Sequence, residues 1–219
     1  MKFDEKSLRL YAVTDRSWLG ESTLEHQVEE AIRGGATFVQ LREKQLDREA
    51  FYQEALSIGK LCRTYRVPFV LDDDVELALE SGADGVHIGQ SDMALLEARK
   101  RLGPEKIIGV SARTLEEALE AEKNGADYLG VGAVFSTSTK LDAVDVSLET
   151  LGEICGSVSI PVVAIGGIKA ENLPELSGTG IAGVAVVSAI FGALNIREAA
   201  ARLRRLAEEA VSGKKGGAE

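Results

Sequence analysis

The sequence has few of the residues from which disulfide frameworks, zinc sites and histidine-based active sites are built. Its 219 residues include two cysteines and two histidines. Neither Cys62 nor Cys155 belongs to a C-x-x-C pair. A disulfide framework, a zinc site and a histidine-based catalytic triad therefore have little support, and we expect both thiols to be free and buried in a reducing cytosol.

Long hydrophobic runs are also missing. The apolar stretches stop well short of the roughly 18 residues that a membrane-spanning helix needs. The N-terminal segment MKFDEKSLRL carries charges where a signal peptide needs an apolar centre. These absences predict a soluble, uncleaved, cytoplasmic protein with no membrane partner.

Positive charge is in short supply as well. Lysine and arginine number 25 against 35 acidic residues, which gives a formal net charge of -10. Nucleic-acid binding normally requires a basic face, so a nucleic acid is not expected as a partner. Small anionic substrates remain compatible, because a few well-placed cations can override the net charge locally. The sequence leaves a homo-oligomer open.

The sequence does show a regular alternation of short apolar runs with segments of helical period. The eight strand candidates are RLYAVTD, TFVQLRE, PFVLDD, DGVHIGQ, KIIGVSA, DYLGVGAVF, PVVAIGG and GVAVVSAI. Helical segments fill the intervals, with NLPELSGTG assigned as the helix of the seventh unit. Eight such units predict an α/β fold, a single-domain (β/α)₈ TIM barrel over residues 1–212, followed by a disordered tail at 213–219.

An internal repeat supports this architecture. The segments GGATFVQL, SGADGVHIG and NGADYLGVG share a glycine, Gly35, Gly82 or Gly125, followed by a small residue and a strand. The copies are two units apart and precede the second, fourth and sixth strands. Glycine is also simply a good residue for ending a helix, but a two-unit period favours the barrel over an open, doubly wound sheet.

In a barrel of this type the active face lies at the carboxyl ends of the strands. Gln40, Arg42 and Lys44 alternate along the end of the second strand, so their side chains point the same way. They could form a solvated, charged strand end. If they point into the barrel, they would leave unpaired charge in the core unless a ligand or an acidic group binds them.

Three consecutive aspartates, Asp72, Asp73 and Asp74, follow the third strand. Asp73 with Glu76 resembles a capping box, and Asp74 is an alternative cap. Neither cap explains Asp72, nor Asp92 after the fourth strand. Two carboxylates from adjacent strand ends suit Mg²⁺, which uses one or two carboxylates together with substrate phosphates and water. His87, on the fourth strand, could face either way, and we interpret it as a hydrogen-bonded structural histidine.

The later strands carry features suited to phosphate. A glycine pair, Gly166 and Gly167, follows the seventh strand and Ser188 ends the eighth, which is where this fold often builds a phosphate site. The segment STSTK, residues 136–140, supplies hydroxyls and a lysine on a loop. A polar loop whose hydroxyls cap the chain would have the same composition.

In combination, these motifs resemble the thiamine phosphate synthase family. The similarity runs from about Leu10 to Ala193 through YAVTD, VQLREK, DDDVELALESGADGVHIGQSD, IIGVSA, GAVFSTSTK, VVAIGGI and VVSAI. The family joins an aminopyrimidine diphosphate to a thiazole phosphate, with release of pyrophosphate. The resemblance implies Mg²⁺ held by Asp73 and Asp92, and catalytic roles for Arg42, Lys44, Ser111 and Lys140. It also implies substrate contacts from Gln40, Arg42, Lys44, Asp72, Ser111, Thr137, Thr139, Lys140, Gly167, Val187 and Ser188.

One departure from the family pattern concerns Asp72, where asparagine is common. We hypothesise that Asp72 accepts a hydrogen bond from the pyrimidine amino group. Two other functions stay open: a thiazole tautomerase with the same barrel, and a non-catalytic sensor of thiazole phosphate. The joint presence of Arg42, Lys44, Asp73, Asp92 and Lys140 favours the synthase.

Overall fold

The computed structural model describes residues 4–90, 92–136 and 145–213. Eight parallel strands form a closed barrel in chain order. They are β1 (Leu10–Val13), β2 (Phe38–Leu41), β3 (Phe69–Asp72), β4 (Gly85–Ile88), β5 (Ile107–Ala112), β6 (Tyr128–Val131), β7 (Val162–Ile165) and β8 (Gly183–Val186). The barrel closes because Tyr11 on β1 pairs with Phe38 on β2 and with Ala185 on β8. The predicted (β/α)₈ barrel is confirmed.

Helices surround the barrel. They are α1 (Leu24–Arg33), α2 (Arg48–Tyr65), α3 (Val75–Glu80), α4 (Leu95–Leu102), α5 (Leu115–Lys123), α6 (Leu148–Ser157), α7 (Ser188–Phe191) and α8 (Ile196–Val211). Within the described ranges, no helix is both long enough and apolar enough to cross a membrane.

The seventh unit differs from the sequence prediction. The segment NLPELSGTG, predicted as a helix, contains only a 3-10 helix at Leu173–Leu176. Pro174 removes a backbone donor within its first turn, and Gly178 and Gly180, both with positive φ, follow directly. Proline and closely spaced glycines together oppose a longer helix.

Each strand divides its side chains between two cores. On β1, Tyr11 and Val13 point into the barrel, where they pack with Phe38 and Tyr128. Leu10 and the other alternate residues pack outward against the helices. Because successive side chains on a strand face opposite ways, every second residue at a strand end is directed into the mouth of the barrel.

The glycines of the internal repeat end alternate helices. Gly35, Gly82 and Gly125 follow α1, α3 and α5 with φ values of +107°, +68° and +90°. Such left-handed conformations are accessible to glycine at little cost and stop a helix before the next strand. Cys62 and Cys155 are both free, and Cys62 is buried.

Candidate active site

The mouth of the barrel collects many of the side chains that the sequence singled out. The cavity there is lined by Gln40, Arg42, Asp72, His87, Ser111, Gly167, Val187 and Ser188. These residues lie on or just after β2, β3, β4, β5, β7 and β8. Thr137, Thr139 and Lys140 lie outside the described residues.

Two cations that follow β2 face two aspartates at the end of β3. The ammonium nitrogen of Lys44 lies 3.1 Å from Oδ2 of Asp72 and 2.5 Å from Oδ2 of Asp73. Nε of Arg42 lies 3.7 Å from Oδ2 of Asp72, and its Nη1 lies 3.9 Å from Oδ2 of Asp15. The negative charges of Asp72 and Asp73 are therefore compensated by Arg42 and Lys44, which follow the neighbouring strand.

The two aspartates differ in their ionisation. Burial, together with the charge of Asp73, raises the pKa of Asp72 to about 6, although Lys44 and Arg42 oppose the shift. Burial would also raise the pKa of Asp73, but its hydrogen bonds to Lys44 and Asp92 outweigh that effect and hold the pKa below its usual value. Asp73 is thus the more strongly anionic of the pair.

Asp74, and not Asp73, caps helix α3. Oδ1 of Asp74 accepts a hydrogen bond from the backbone N–H of Leu77 at 2.8 Å. The reading of Asp73 as the cap in a capping box is therefore wrong. Asp73 instead has a left-handed backbone, with φ of +63°, and its N–H donates to the carbonyl of His87 at 2.8 Å. Non-glycine residues adopt this conformation at a cost of about 1–3 kcal/mol, usually at functional sites.

Asp73 and Asp92 form a pair of carboxyl groups in hydrogen-bonding contact. Oδ2 of Asp92 also accepts the N–H of Gly89 at 2.6 Å. Burial and the neighbouring Asp73 both raise the pKa of Asp92, although Lys44 opposes the shift, as expected for two carboxylates that share a site. No group of three or more potential metal ligands occurs in the described part of the chain. A pair of carboxylates fits Mg²⁺, whose remaining positions are filled by water and substrate oxygens.

A buried hydrogen-bond chain lies under the mouth. Nε2 of His87 lies 3.0 Å from Oγ of Ser111, and Nδ1 of His87 lies 3.0 Å from the hydroxyl of Tyr128. The Tyr128 hydroxyl in turn lies 2.8 Å from that of Tyr11. His87 thus faces the barrel interior and is hydrogen-bonded, as a structural histidine should be. It also orients Ser111, a connection that the sequence did not indicate.

Glu43 holds the end of β2 in place. Its side chain is only 2% exposed, and Oε2 accepts a hydrogen bond from Nε of Arg16 at 2.7 Å. Oε1 accepts the backbone N–H groups of Lys44, at 2.8 Å, and of the residue after it, at 2.7 Å. Burial would raise the pKa of Glu43, but Arg16 and these N–H groups lower it below its ordinary value. Sequence reasoning missed Glu43, because a glutamate between two cations reads as surface charge.

The glycine pair approaches neighbouring backbone closely. Gly166 and Gly167 have φ of +96° and +62°. A Cβ on Gly167 would lie 2.5 Å from the carbonyl oxygens of both Phe135 and Ser136. Helix α7 begins at Ser188, preceded by Val187. Glycine at position 167 therefore allows the backbone of residues 135 and 136 to approach closely, and Gly167 lines the cavity together with Ser188.

Comparison with known proteins supplies the family. The model described as thiamine monophosphate synthase matches residues 10–190. The thiamine-phosphate synthase of Clostridium acetobutylicum is 55% identical over 192 residues, covering 88% of this chain and 91% of the relative. That of Ruminiclostridium cellulolyticum is 54% identical over 194 residues, covering 89% and 92%. The solved thiamine phosphate pyrophosphorylase from Pyrococcus furiosus superposes with a TM-score of 0.88 at 44% identity, covering 94% and 98%.

Proposed function

The chain belongs to the thiamine monophosphate synthase family, and we propose that it binds the diphosphate of its substrate through Arg42, Lys44 and Mg²⁺ held by Asp73 and Asp92. The enzyme condenses 4-amino-2-methyl-5-hydroxymethylpyrimidine diphosphate with 4-methyl-5-(2-hydroxyethyl)thiazole phosphate. The products are thiamine phosphate and pyrophosphate. The match in sequence and fold to thiamine-phosphate synthases carries this assignment.

The reaction exchanges one bond for another at the pyrimidine methylene carbon. The bond from this carbon to the diphosphate oxygen breaks, and its electron pair leaves with pyrophosphate. The electron-rich aminopyrimidine stabilises the resulting cation, and the thiazole nitrogen supplies the electron pair of the new C–N bond. No side chain has to remove a proton in these steps, so stabilisation of the leaving charge dominates catalysis.

The convergence of Lys44 on Asp72 and Asp73 is the observation that most supports this role. Lys44 lies within 3.1 Å of both carboxylates, so a diphosphate bound by Asp73 through a metal would also meet the lysine. When bound, Mg²⁺ would neutralise charge on the diphosphate oxygens. Arg42 and Ser111 add donors from two further positions at the mouth.

The pyrimidine and the thiazole phosphate need separate contacts. Asp72 and Gln40 line the mouth, and in this proposal Asp72 accepts a hydrogen bond from the pyrimidine amino group while Gln40 holds the pyrimidine diphosphate. Gly167, Val187 and Ser188 offer backbone and hydroxyl donors to the thiazole phosphate. Thr137, Thr139 and Lys140, outside the described residues, are assigned by family resemblance to the thiazole phosphate and to pyrophosphate.

The proposal also covers the domain organisation of the chain and the cellular compartment of the reaction. In this proposal the chain has a single domain with bounds 1–212, and the reaction takes place in the cytoplasm. The free, buried thiol of Cys62 is in keeping with a reducing compartment.

The decisive assay is pyrophosphate release from the purified protein given both substrates, with Mg²⁺ or with a chelator. We expect release that depends on the metal and is matched mole for mole by thiamine phosphate. Release that is unchanged by the chelator would overturn the metal site. No release, despite binding of thiazole phosphate, would overturn the synthase activity in favour of a tautomerase or a sensor.

A further inference from the structure

Arg113 is a cation at the mouth that neither sequence motifs nor family resemblance singled out. It follows β5 directly, two residues after Ser111. Alternation along β5 directs Gly109 and Ser111 into the barrel, and the same alternation carries Arg113 to the inward side. Its side chain lines the cavity together with Arg42, Asp72 and Ser111.

The backbone around Arg113 is firmly held. Its N–H donates to Oε2 of Glu117 at 2.6 Å, and Nε2 of Gln90 donates to the carbonyl of Ser111 at 2.7 Å. Of the two glutamates in the first turn of α5, Glu116 and Glu117, the second is therefore already engaged by the main chain. The backbone from which the Arg113 side chain departs is therefore held in place, and the side chain lines the cavity.

The Arg113 guanidinium has no acidic partner in the part of the chain that the structure describes. Within residues 4–90, 92–136 and 145–213, no carboxylate lies at ion-pair distance from Arg113. By contrast, Arg42 and Lys44 at the same mouth both lie near aspartates. A partly buried guanidinium without a carboxylate is suited to an anionic ligand, and its planar donors match phosphate oxygens in a bidentate arrangement.

The mouth carries more negative than positive charge, so the binding of an anionic ligand there benefits from a further cation. Four carboxylates surround the cations of β2, namely Asp15, Asp72, Asp73 and Asp92. Arg42 and Lys44 offset only half of that charge. A diphosphate carries several negative charges of its own, so even with a divalent cation present the site gains from a cation that is not already paired.

We propose that Arg113 binds the terminal phosphate of the pyrimidine diphosphate and of the departing pyrophosphate, from the β5 side of the mouth. The leaving group is then held between Arg42 and Lys44 on one wall and Ser111 and Arg113 on the other. Because Arg113 neighbours Ser111, we assign it to the diphosphate and not to the thiazole phosphate. The proposed contacts of the thiazole phosphate are Gly167 and Ser188. This assignment rests on the proposed function.

Substitution of Arg113 by methionine tests the proposal by steady-state kinetics. The variant Arg113→Met should raise the KM for the pyrimidine diphosphate, and the inhibition constant for pyrophosphate with Mg²⁺, by about tenfold or more, the effect of losing a charge-assisted hydrogen bond. The KM for thiazole phosphate should stay within about twofold. Arg113→Lys, which keeps the charge, should restore part of the binding.

Arg33→Met is the matched control. Arg33 lies in the last turn of α1, pairs with Glu29 and is 46% exposed. Because this turn leads into the start of β2, it lies at the opposite end of the barrel from the mouth. Its loss should leave all three constants unchanged. Thermal unfolding of each variant verifies that the fold is retained, and Arg113→Lys serves as the test variant if the methionine variant does not fold.

The outcomes separate this proposal from the function on which it rests. If Arg113→Met leaves the KM for the diphosphate and the pyrophosphate inhibition constant unchanged while Arg42→Met raises both, Arg113 has no role at the leaving group although the synthase assignment stands. A rise confined to the KM for thiazole phosphate would also overturn the proposal. Failure of the unaltered enzyme to release pyrophosphate would instead overturn the function.

Discussion

The carboxylate of Glu43 lies 2.7 Å from the guanidinium of Arg16. The contact lies just after β2, in the segment that carries Arg42 and Lys44 at the mouth. Arg16 comes from the 3-10 helix Arg16–Trp18 that follows β1, so the contact joins two neighbouring strand ends. Glu54 on α2 binds the same guanidinium at 2.6 Å. Of the two glutamates, only Glu43 also holds backbone N–H groups of the segment that carries Lys44.

Replacing Glu43 with glutamine should therefore weaken both the fold and the binding of the diphosphate. We expect the free energy of unfolding to fall by about 1–3 kcal/mol, because buried donors lose an ionised acceptor. The KM for the pyrimidine diphosphate should rise severalfold as Lys44 loses its fixed position. Chemical denaturation and steady-state kinetics measure the two effects.

Glu54→Gln is the control for this prediction. It removes the other acidic partner of Arg16 without touching the backbone around Lys44, so it should lower stability and leave the KM unchanged. An equal rise in KM for both variants would show that Arg16, and not the backbone held by Glu43, determines the position of Lys44.

Asp72 and Asp73 should respond differently to substitution. Asp72→Asn keeps a hydrogen-bond acceptor for the pyrimidine amino group, so the variant should retain substantial activity. Asp73→Ala removes a proposed ligand of Mg²⁺ and should lower kcat/KM by at least about a hundredfold. Pyrophosphate release across a Mg²⁺ titration measures both variants, and an equal collapse of the two would refute the distinction.

The third aspartate of the run supplies the matched control. Asp74 caps α3 through the N–H of Leu77. Its replacement by alanine should cost about 0.5–2 kcal/mol of stability, the usual effect of losing an N-cap. The dependence of activity on Mg²⁺ should be unchanged, and a shift in that dependence would place Asp74 at the metal.

Gly167 should not tolerate a side chain. An alanine there would have its Cβ 2.5 Å from two carbonyl oxygens while holding φ at +62°. We expect Gly167→Ala to destabilise the fold by more than about 1 kcal/mol and to raise the KM for thiazole phosphate selectively. Thermal unfolding and kinetics with each substrate varied in turn provide the measurements.

Gly178→Ala separates backbone strain from steric contact. Gly178 also has a positive φ, +84°, but no atom lies within 4 Å of the position of an added Cβ. This variant should lose about 1 kcal/mol of stability for its conformation alone and keep an unaltered KM. An equal rise in the KM for thiazole phosphate in both variants would argue that Gly167 does not contact the phosphate specifically.

Tyr128→Phe should weaken the hydrogen-bond chain that orients Ser111 through His87. The tyrosine hydroxyl bonds both Tyr11 and His87, and removing it leaves buried polar groups with one partner fewer, at a cost of about 1–3 kcal/mol. We also expect weaker inhibition by pyrophosphate, because His87 orients Ser111. Denaturation and inhibition measurements test both effects.

The comparison variant is Tyr11→Phe. It removes the hydrogen bond between Tyr11 and Tyr128 and leaves the hydrogen bond between Tyr128 and His87 in place. It should cost stability with little change in pyrophosphate inhibition. If both variants weaken inhibition equally, the chain does not act through His87.

Much of the architecture could be predicted from local patterns. The alternation of apolar runs predicted eight strands, and the spacing of Gln40, Arg42 and Lys44 predicted a common direction for their side chains. The repeated glycines marked the ends of α1, α3 and α5. These features depend on residues close together in the chain, where backbone geometry alone determines which side chains share a face.

The pairings at the mouth depended instead on closure of the barrel. The sequence could not choose between Asp73 and Asp74 as the cap of α3, since either carboxylate suits that position. It did not reveal that Glu43 meets Arg16 or that His87 meets Ser111, because these partners lie on different strands or strand ends. Nor did motif recognition single out Arg113, although it lies only two residues after Ser111.

The sequence by itself determined the order of strands and the types of chemical group at their ends. Tertiary structure alone decided which of those groups are paired and which remain available to a ligand. The physical reason is that strand periodicity is a property of a few successive residues, whereas an ion pair depends on distances between groups tens of residues apart. Closing the barrel sets those distances, bringing Lys44 to the aspartates of β3 and leaving Arg113 without a carboxylate among the described residues.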